Sequence, residues 1–216
     1  MVNFPREMFN YNVSEMTFTP DAGTVNAVHS NGRASTVSAI YDGGFGLSVT
    51  VEPLDDAEHI GWKAWFASLG GGAKSFLAYD LRQSVPYAYR GGLPLVEGVE
   101  WDGECSLVDA PEIGAAALTG LPVGCLLTAG DYIGFEEGVG AARKYAMSLL
   151  SESVTADGSG EATVSFSPAL PAALFTDAAT VNFVEVKGKF IIPLSAVPVG
   201  SSVDMPSFSF EAMQVY

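Results

Sequence analysis

Three apolar runs follow one another between Leu126 and Pro168, reading LLTAGDYIGF, RKYAMSLLSESV and TADGSGEATVSFSP, with a tight-turn signal at each junction. In the last run Ala162, Val164 and Phe166 alternate with Thr163, Ser165 and Ser167. A period of two places the first set on one face of an extended chain and the second set on the other, the pattern of a half-buried strand. Asp157-Gly158 supplies the turn ahead of it, because glycine tolerates positive φ and aspartate can hydrogen-bond its own backbone. The stretch is expected to be a small β-meander, and it contains no catalytic constellation.

The same reasoning extends in both directions. From Ala34 to Pro53, ASTVSAIY and FGLSVTVEP flank Asp42-Gly43-Gly44, which predicts a hairpin between them. In its second strand Leu47, Val49 and Val51 point one way and Ser48, Thr50 and Glu52 the other, so one face is core and one is wet or shared. The period then changes. Asp55 stands as a cap with Glu58 in the capping-box position, and Ile60, Ala64, Trp65 and Leu69 recur at helical spacing until Gly70-Gly71-Gly72. Trp62 and Phe66 form a second apolar stripe, so the helix is expected to have little polar face and to pack between elements. A strand over residues 74–80 and a polar loop, Leu81 to Pro86, close a first unit.

Residues 91–125 are rich in Gly, Pro and Ala and read as short strands and loops entering a second unit, which contains the meander and continues to a strand VNFVEV and a turn at Lys187-Gly188-Lys189. A last pair, FIIPL and SFSFEAMQV, ends the chain, with the terminal strand built into a sheet and returning to the first unit.

With 216 residues, 48% of them hydrophobic, the chain can bury a sizeable core as one large β domain or two small ones. Only 16% are charged, so Ser, Thr, Gly and Asn must cover much of the surface. That suits a subunit covered by neighbours, and equally an ordinary Gly-rich β-protein. A net charge of −15 argues against a nucleic-acid clamp, since phosphate binding rests on Lys and Arg. An acidic surface can still act on DNA by repelling it, although solubility or a salt-adapted source is the plainer explanation. The N-terminus lacks the basic start and apolar core of a secretory signal, and no run approaches the length of a membrane span, so folding in a cytoplasm is expected. Cys105 and Cys125 could bridge two strands, yet two isolated thiols in such a protein are more often reduced core residues.

Sites of chemistry are sparse. His29 and His59 are the only histidines and lack the company that a metal site needs. Gly43-Gly44-Phe45-Gly46 is not a phosphate loop, because no Lys-Ser/Thr follows it, and there is no G-x-S-x-G elbow. Asp55 with Asp56, Asp102 with Glu104, and Glu136 with Glu137 are adjacent acids of the kind that turns usually solvate, although paired carboxylates also serve glycoside hydrolysis. No calcium loop occurs. Trp62, Trp65 and Trp101 could stack on sugars, but two of the three fall on the helix, where burial is the better reading. No catalytic, cofactor-binding or metal-ligating residue is expected.

Taken in order, the hairpin ASTVSAIYDGGFGLSVTVEPL, the helix GWKAWFASLGGGAKSFLAYDLRQSVP, LTAGDYIGF, SLLSESVTADGSGEATVSFSPAL and the closing SFSFEAMQV resemble the distal tail proteins, minor tail components of siphophages and related prophages. The resemblance spans about four fifths of the chain and is weakest over residues 91–120. Its most specific pieces are Trp62 to Phe66 with the Gly run and Phe76, Leu127 to Tyr132, and Thr155 to Pro168.

It implies a mainly β structural virion protein, at the phage tail tip and made in the host cytoplasm, and not an enzyme. Residues 1–90 with 195–216 would form a ring-building belt domain, a β-sandwich similar to the tail tube fold with one short helix. Residues 91–194 would be an inserted outer domain like a small β-barrel. Six copies would close a ring between the tail tube protein and the baseplate hub protein, with no cofactor and no membrane span, and DNA would pass through without specific binding. The chain departs from the family in having only Arg82 where many relatives carry an Arg-rich loop, and in the length of VGAARKYAMSLL. Competing expectations are a carbohydrate-binding adsorption module, if Trp101 stands exposed in a groove with Asp102 and Glu104, and a small glycan hydrolase.

Overall fold

The computed structural model describes residues 4–21, 24–28, 34–39, 43–52, 55–171, 173–193 and 207–216. Among them the chain is mainly β, with one α-helix. The first strands are β1 (Arg6–Glu7), β2 (Val13–Asp21), β3 (Thr24–Val28), β4 (Ala34–Ala39), β5 (Gly44–Val51) and, after helix α1 (Asp56–Ser68), β6 (Phe76–Ala78). Then come β7 (Leu95–Val96), β8 (Val99–Glu100), β9 (Glu104–Leu107), β10 (Ala115–Thr119), β11 (Leu126–Leu127) and β12 (Tyr132–Glu137). The last are β13 (Lys144–Leu150), β14 (Val154–Thr155), β15 (Ala162–Ser167), β16 (Thr180–Asn182), β17 (Gly188–Ile191) and β18 (Phe208–Gln214).

Six of these form a sheet in the order β1-β6-β17-β18-β5-β2, parallel between β1 and β6 and antiparallel elsewhere. The hairpin expected over residues 34–53 is not formed. Strand β4 pairs with β3, nested inside the pairing of β2 with β5, and Asp42 of the expected turn lies outside the described residues. Side-chain pairing across the strands accounts for this. Met16 and Phe18 of the nine-residue β2 stand opposite Val49 and Leu47, giving β5 an apolar partner that the Ser- and Thr-rich β4 does not offer.

Helix α1 starts as its sequence dictates. The Asp55 carboxylate accepts the Glu58 N–H at 2.8 Å and the Glu58 carboxylate accepts the Asp55 N–H at 3.2 Å, a reciprocal capping box. It ends where Gly70, Gly71 and Gly72 all take positive φ. Trp62, Trp65 and Leu69 are buried and Phe66 partly so, whereas Ile60, expected on the core stripe, is 65% exposed and Ala64 is exposed too. A helix resting on one sheet has a single contact stripe. Spacing of 0, 3, 4 and 7 from Trp62 gives that stripe to the large residues and turns Ile60 and Ala64 to water. The helix therefore packs on the sheet, with the segment between β1 and β2 beside it: Phe9 meets Trp62 edge-on at 5.2 Å, and the Tyr11 carbonyl accepts the Trp62 indole N–H at 3.1 Å.

The second assembly is a closed barrel, β10-β15-β13-β12-β16-β9. The expected meander is present: β12 pairs with β13 and β13 with β15, both antiparallel, and Val164 and Phe166 point into the barrel core. Closure leaves none of the six strands with a free edge. The strand expected for VNFVEV is cut to β16, because after Phe183 the chain leaves the barrel, and β17 pairs with β6 and β18 in the sheet. The return to the sheet thus precedes residue 188, earlier than the expected boundary at 194. Tyr132 and Met147 of the barrel join the sheet's core, with Phe18 and Phe45 of the sheet at 6.0 and 6.2 Å from the Tyr132 ring.

Candidate functional site

Helix α1 and the barrel flank both cover the same face of the six-stranded sheet, since Met16, Phe18, Phe45, Leu47, Val49, Phe210 and Ala212 all belong to the core beneath them. The intervening residues therefore point the other way. Register sets them in rows across β2, β5 and β18: Glu15–Thr50–Ser209, Thr17–Ser48–Glu211 and Thr19–Gly46–Met213. Glu15, Thr17, Thr19, Ser48, Ser209 and Glu211 are exposed, and Met213 is half exposed.

This open face is chemically one-sided. Its three strands contain no Lys, Arg or His. What they present is carboxylate and short hydroxyls on a backbone already satisfied by the sheet. Among the described residues of the sheet, cations enter beyond β18, where burial holds Lys189 of the neighbouring β17 below the usual lysine range and Lys187 pairs with Glu7 at 2.7 Å. Such a face repels phosphate. Along its margin runs β2, nine residues long and the outermost strand of this sheet among the described residues.

The residues singled out by sequence do not gather elsewhere. His59 lies in the first turn of α1, and His29 lies outside the described residues. Asp55 is occupied as the cap, and Asp102 accepts the N–H of Glu104 at 2.9 Å within its own turn. Glu136 pairs with Arg143 at 2.5 Å, and burial pushes its carboxyl up against the opposing pull of that guanidinium. Glu137 accepts the N–H and hydroxyl of Thr176, which hold its carboxyl below the ordinary range. Among the described residues no group of three or more His, Cys, Asp or Glu is placed to hold a metal ion, and no helix is long and apolar enough to cross a membrane.

Trp101 is 6% exposed, donates its indole N–H to the Glu104 carbonyl at 2.9 Å and packs against Phe183. The exposed sugar platform of Trp101, Asp102 and Glu104 is therefore not formed. Cys105 and Cys125 are free thiols in the barrel core, where burial pushes Cys105 up to about 12 and raises Cys125 as well.

Sequence reasoning missed Asp131. Fully buried at the start of β12, its carboxylate accepts the N–H groups of Thr128 and Tyr87, each at 2.7 Å, and the Gln83 side-chain amide at 3.1 Å. It ties the segment that leaves the sheet after β6 to the turn between β11 and β12. Its signal was an acid between Gly130 and an apolar strand, a place where a carboxylate can accept turn N–H groups.

No protein-family model matches the chain, and no curated protein matches it either.

Proposed function

We propose that this chain is a structural virion protein of a long-tailed bacteriophage: a distal tail ring subunit that joins the tail tube to the baseplate hub and lets DNA pass. The reading rests on the ordered resemblance of its sequence blocks to siphophage distal tail proteins. The observation that carries it is the open face of β2, β5 and β18, a strip of carboxylates and hydroxyls, with Met213 among them, that holds no cation.

A conduit for a polyanion needs such a wall, because Lys or Arg along the path would hold the phosphates in transit. In this reading the sheet with α1 is the belt domain, akin to the tail tube β-sandwich, and the barrel is the inserted outer domain. A cyclic ring joins two different patches of each subunit, and the sheet has two different outer strands, β1 and β2. The protein acts without catalysis or cofactor, at the virion tail tip. Burial of Trp101 removes the feature on which the carbohydrate-binding alternative depended.

Light scattering across concentration and salt tests the reading. A closed species near six times 22.6 kDa, formed outright or on concentration, is the expected result. A monomer at every concentration, both alone and with its tube and hub partners, would overturn it.

A further inference from the structure

The hairpin of β7 and β8 is an apolar knob standing off the barrel. Its two-residue turn, Glu97 and Gly98, has φ of 52° and 84°, the all-positive geometry that matches strand twist and fixes the hairpin. Its base is pinned: the Trp101 N–H donates to the Pro94 carbonyl at 2.9 Å, the Leu93 N–H to the Glu100 carboxylate at 3.1 Å, and both Trp101 and Leu93 pack in the barrel core. Yet Leu95 and Val99 are 69% and 70% exposed, and Val96 is 44% exposed. Val96 stands opposite Val99 while Leu95 stands opposite Glu100, so the knob is apolar on both faces. A projection of that form fits into a socket and not onto a flat surface.

Charge selects the occupant. From residue 91 to residue 142 there is no Lys, Arg or His, and every charged side chain is a carboxylate, with Glu97, Glu100, Asp102 and Glu104 at the knob itself. We infer that the β7–β8 hairpin docks into another protein, in an apolar socket edged by Lys or Arg. The same segment of a second copy brings only further carboxylates to the knob, and anionic lipid headgroups are repelled by those already there. A knob already rigid loses little freedom on docking. This inference rests on the hairpin alone and stands apart from the ring reading.

The test is selection of displayed random peptides on the full-length protein. The expected consensus has aliphatic or aromatic residues flanked by Lys or Arg. A synthetic consensus peptide should bind at least ~10-fold more weakly to a Leu95→Ser/Val99→Ser variant, and more weakly as salt rises. Hydrogen exchange on the unsubstituted protein gives a readout that needs no variant: the peptide should protect residues 95–100. Several results would overturn the inference. One is equal binding to both proteins, and another is a consensus without cations or protection elsewhere. Self-association lost only in the variant would give the knob to a second copy, and flotation with phosphatidylcholine vesicles would give it to lipid.

Discussion

Trp65 is 1% exposed, lies edge-on to Phe76 with centroids 5.1 Å apart, and donates its indole N–H to the Glu7 carbonyl at 3.0 Å. One side chain thus fastens the helix to the sheet and also to β1. Trp65→Ala is expected to cost about 3–5 kcal/mol through the cavity and the orphaned carbonyl. Ile60→Ser, five residues earlier on the wet side, should stay within about 0.5 kcal/mol. Thermal melts of the two variants check the pair; an unchanged melting temperature for Trp65→Ala would sink the packing described for α1. The barrel core makes a chemical prediction at the same scale. With Cys105 pushed up to about 12, only about one ten-thousandth of that thiol is thiolate at pH 8. Native protein should therefore react slowly with a disulfide reagent, and both thiols should appear only on unfolding in urea. Fast native labelling of Cys105 would contradict its burial.

At the scale of elements, the barrel seats on the sheet through residues that have no side chain. A Cβ on Gly188 of β17 would lie 2.6 Å from the Met147 sulfur, and one on Gly134 of β12 would lie 2.9 Å from the Val186 side chain. Gly188→Ala should destabilise by roughly 1–3 kcal/mol, and Met147→Ala in the same chain should recover part of that loss, because Met147 is one of the two side chains that the new Cβ meets, the other being the Phe190 ring at 2.7 Å. Urea denaturation of the four proteins in the cycle measures the coupling. Neither glycine announces this role in the sequence, where each reads as a turn or a strand weakness. What was legible was local: the Asp55–Glu58 box, the glycine stop and the alternation of Ala162 to Ser167 each involve residues within one turn or one strand. What was not legible was pairing across distance. The Gly-Gly signal at residues 43–44 reads as a reversal, whereas Gly44 opens β5 opposite Asp21 of β2 and β4 lies opposite β3, and nothing near Lys187 reveals that β17 belongs with β6. The open face shared this fate, since Ser48 and Thr50 read correctly as the wet side of one strand, whereas the cation-free strip needs the register of β2 and β18 beside them.

For the whole molecule, the distribution of charge separates a conduit wall from general acidity. If the open face of β2, β5 and β18 lines the passage of a ring, then Glu15→Lys with Glu211→Lys places cations where DNA travels. Each substitution adds two units, so the net charge moves from −15 to −11, still far from that of a nucleic-acid-binding protein. The doubly substituted ring is nevertheless expected to bind a short DNA duplex at low salt, with affinity falling steeply as salt rises, because several phosphates are neutralised together within one enclosed path. The unsubstituted ring should show no binding. A control with the same net charge, Asp109→Lys with Glu161→Lys on the barrel, spreads its cations over the outside and should bind far more weakly. Fluorescence anisotropy on the three proteins, each first confirmed as the same oligomer, decides the matter. Equal binding by the two substituted rings would mean that net charge alone governs the response, and the sheet's open face would lose its claim to the lumen.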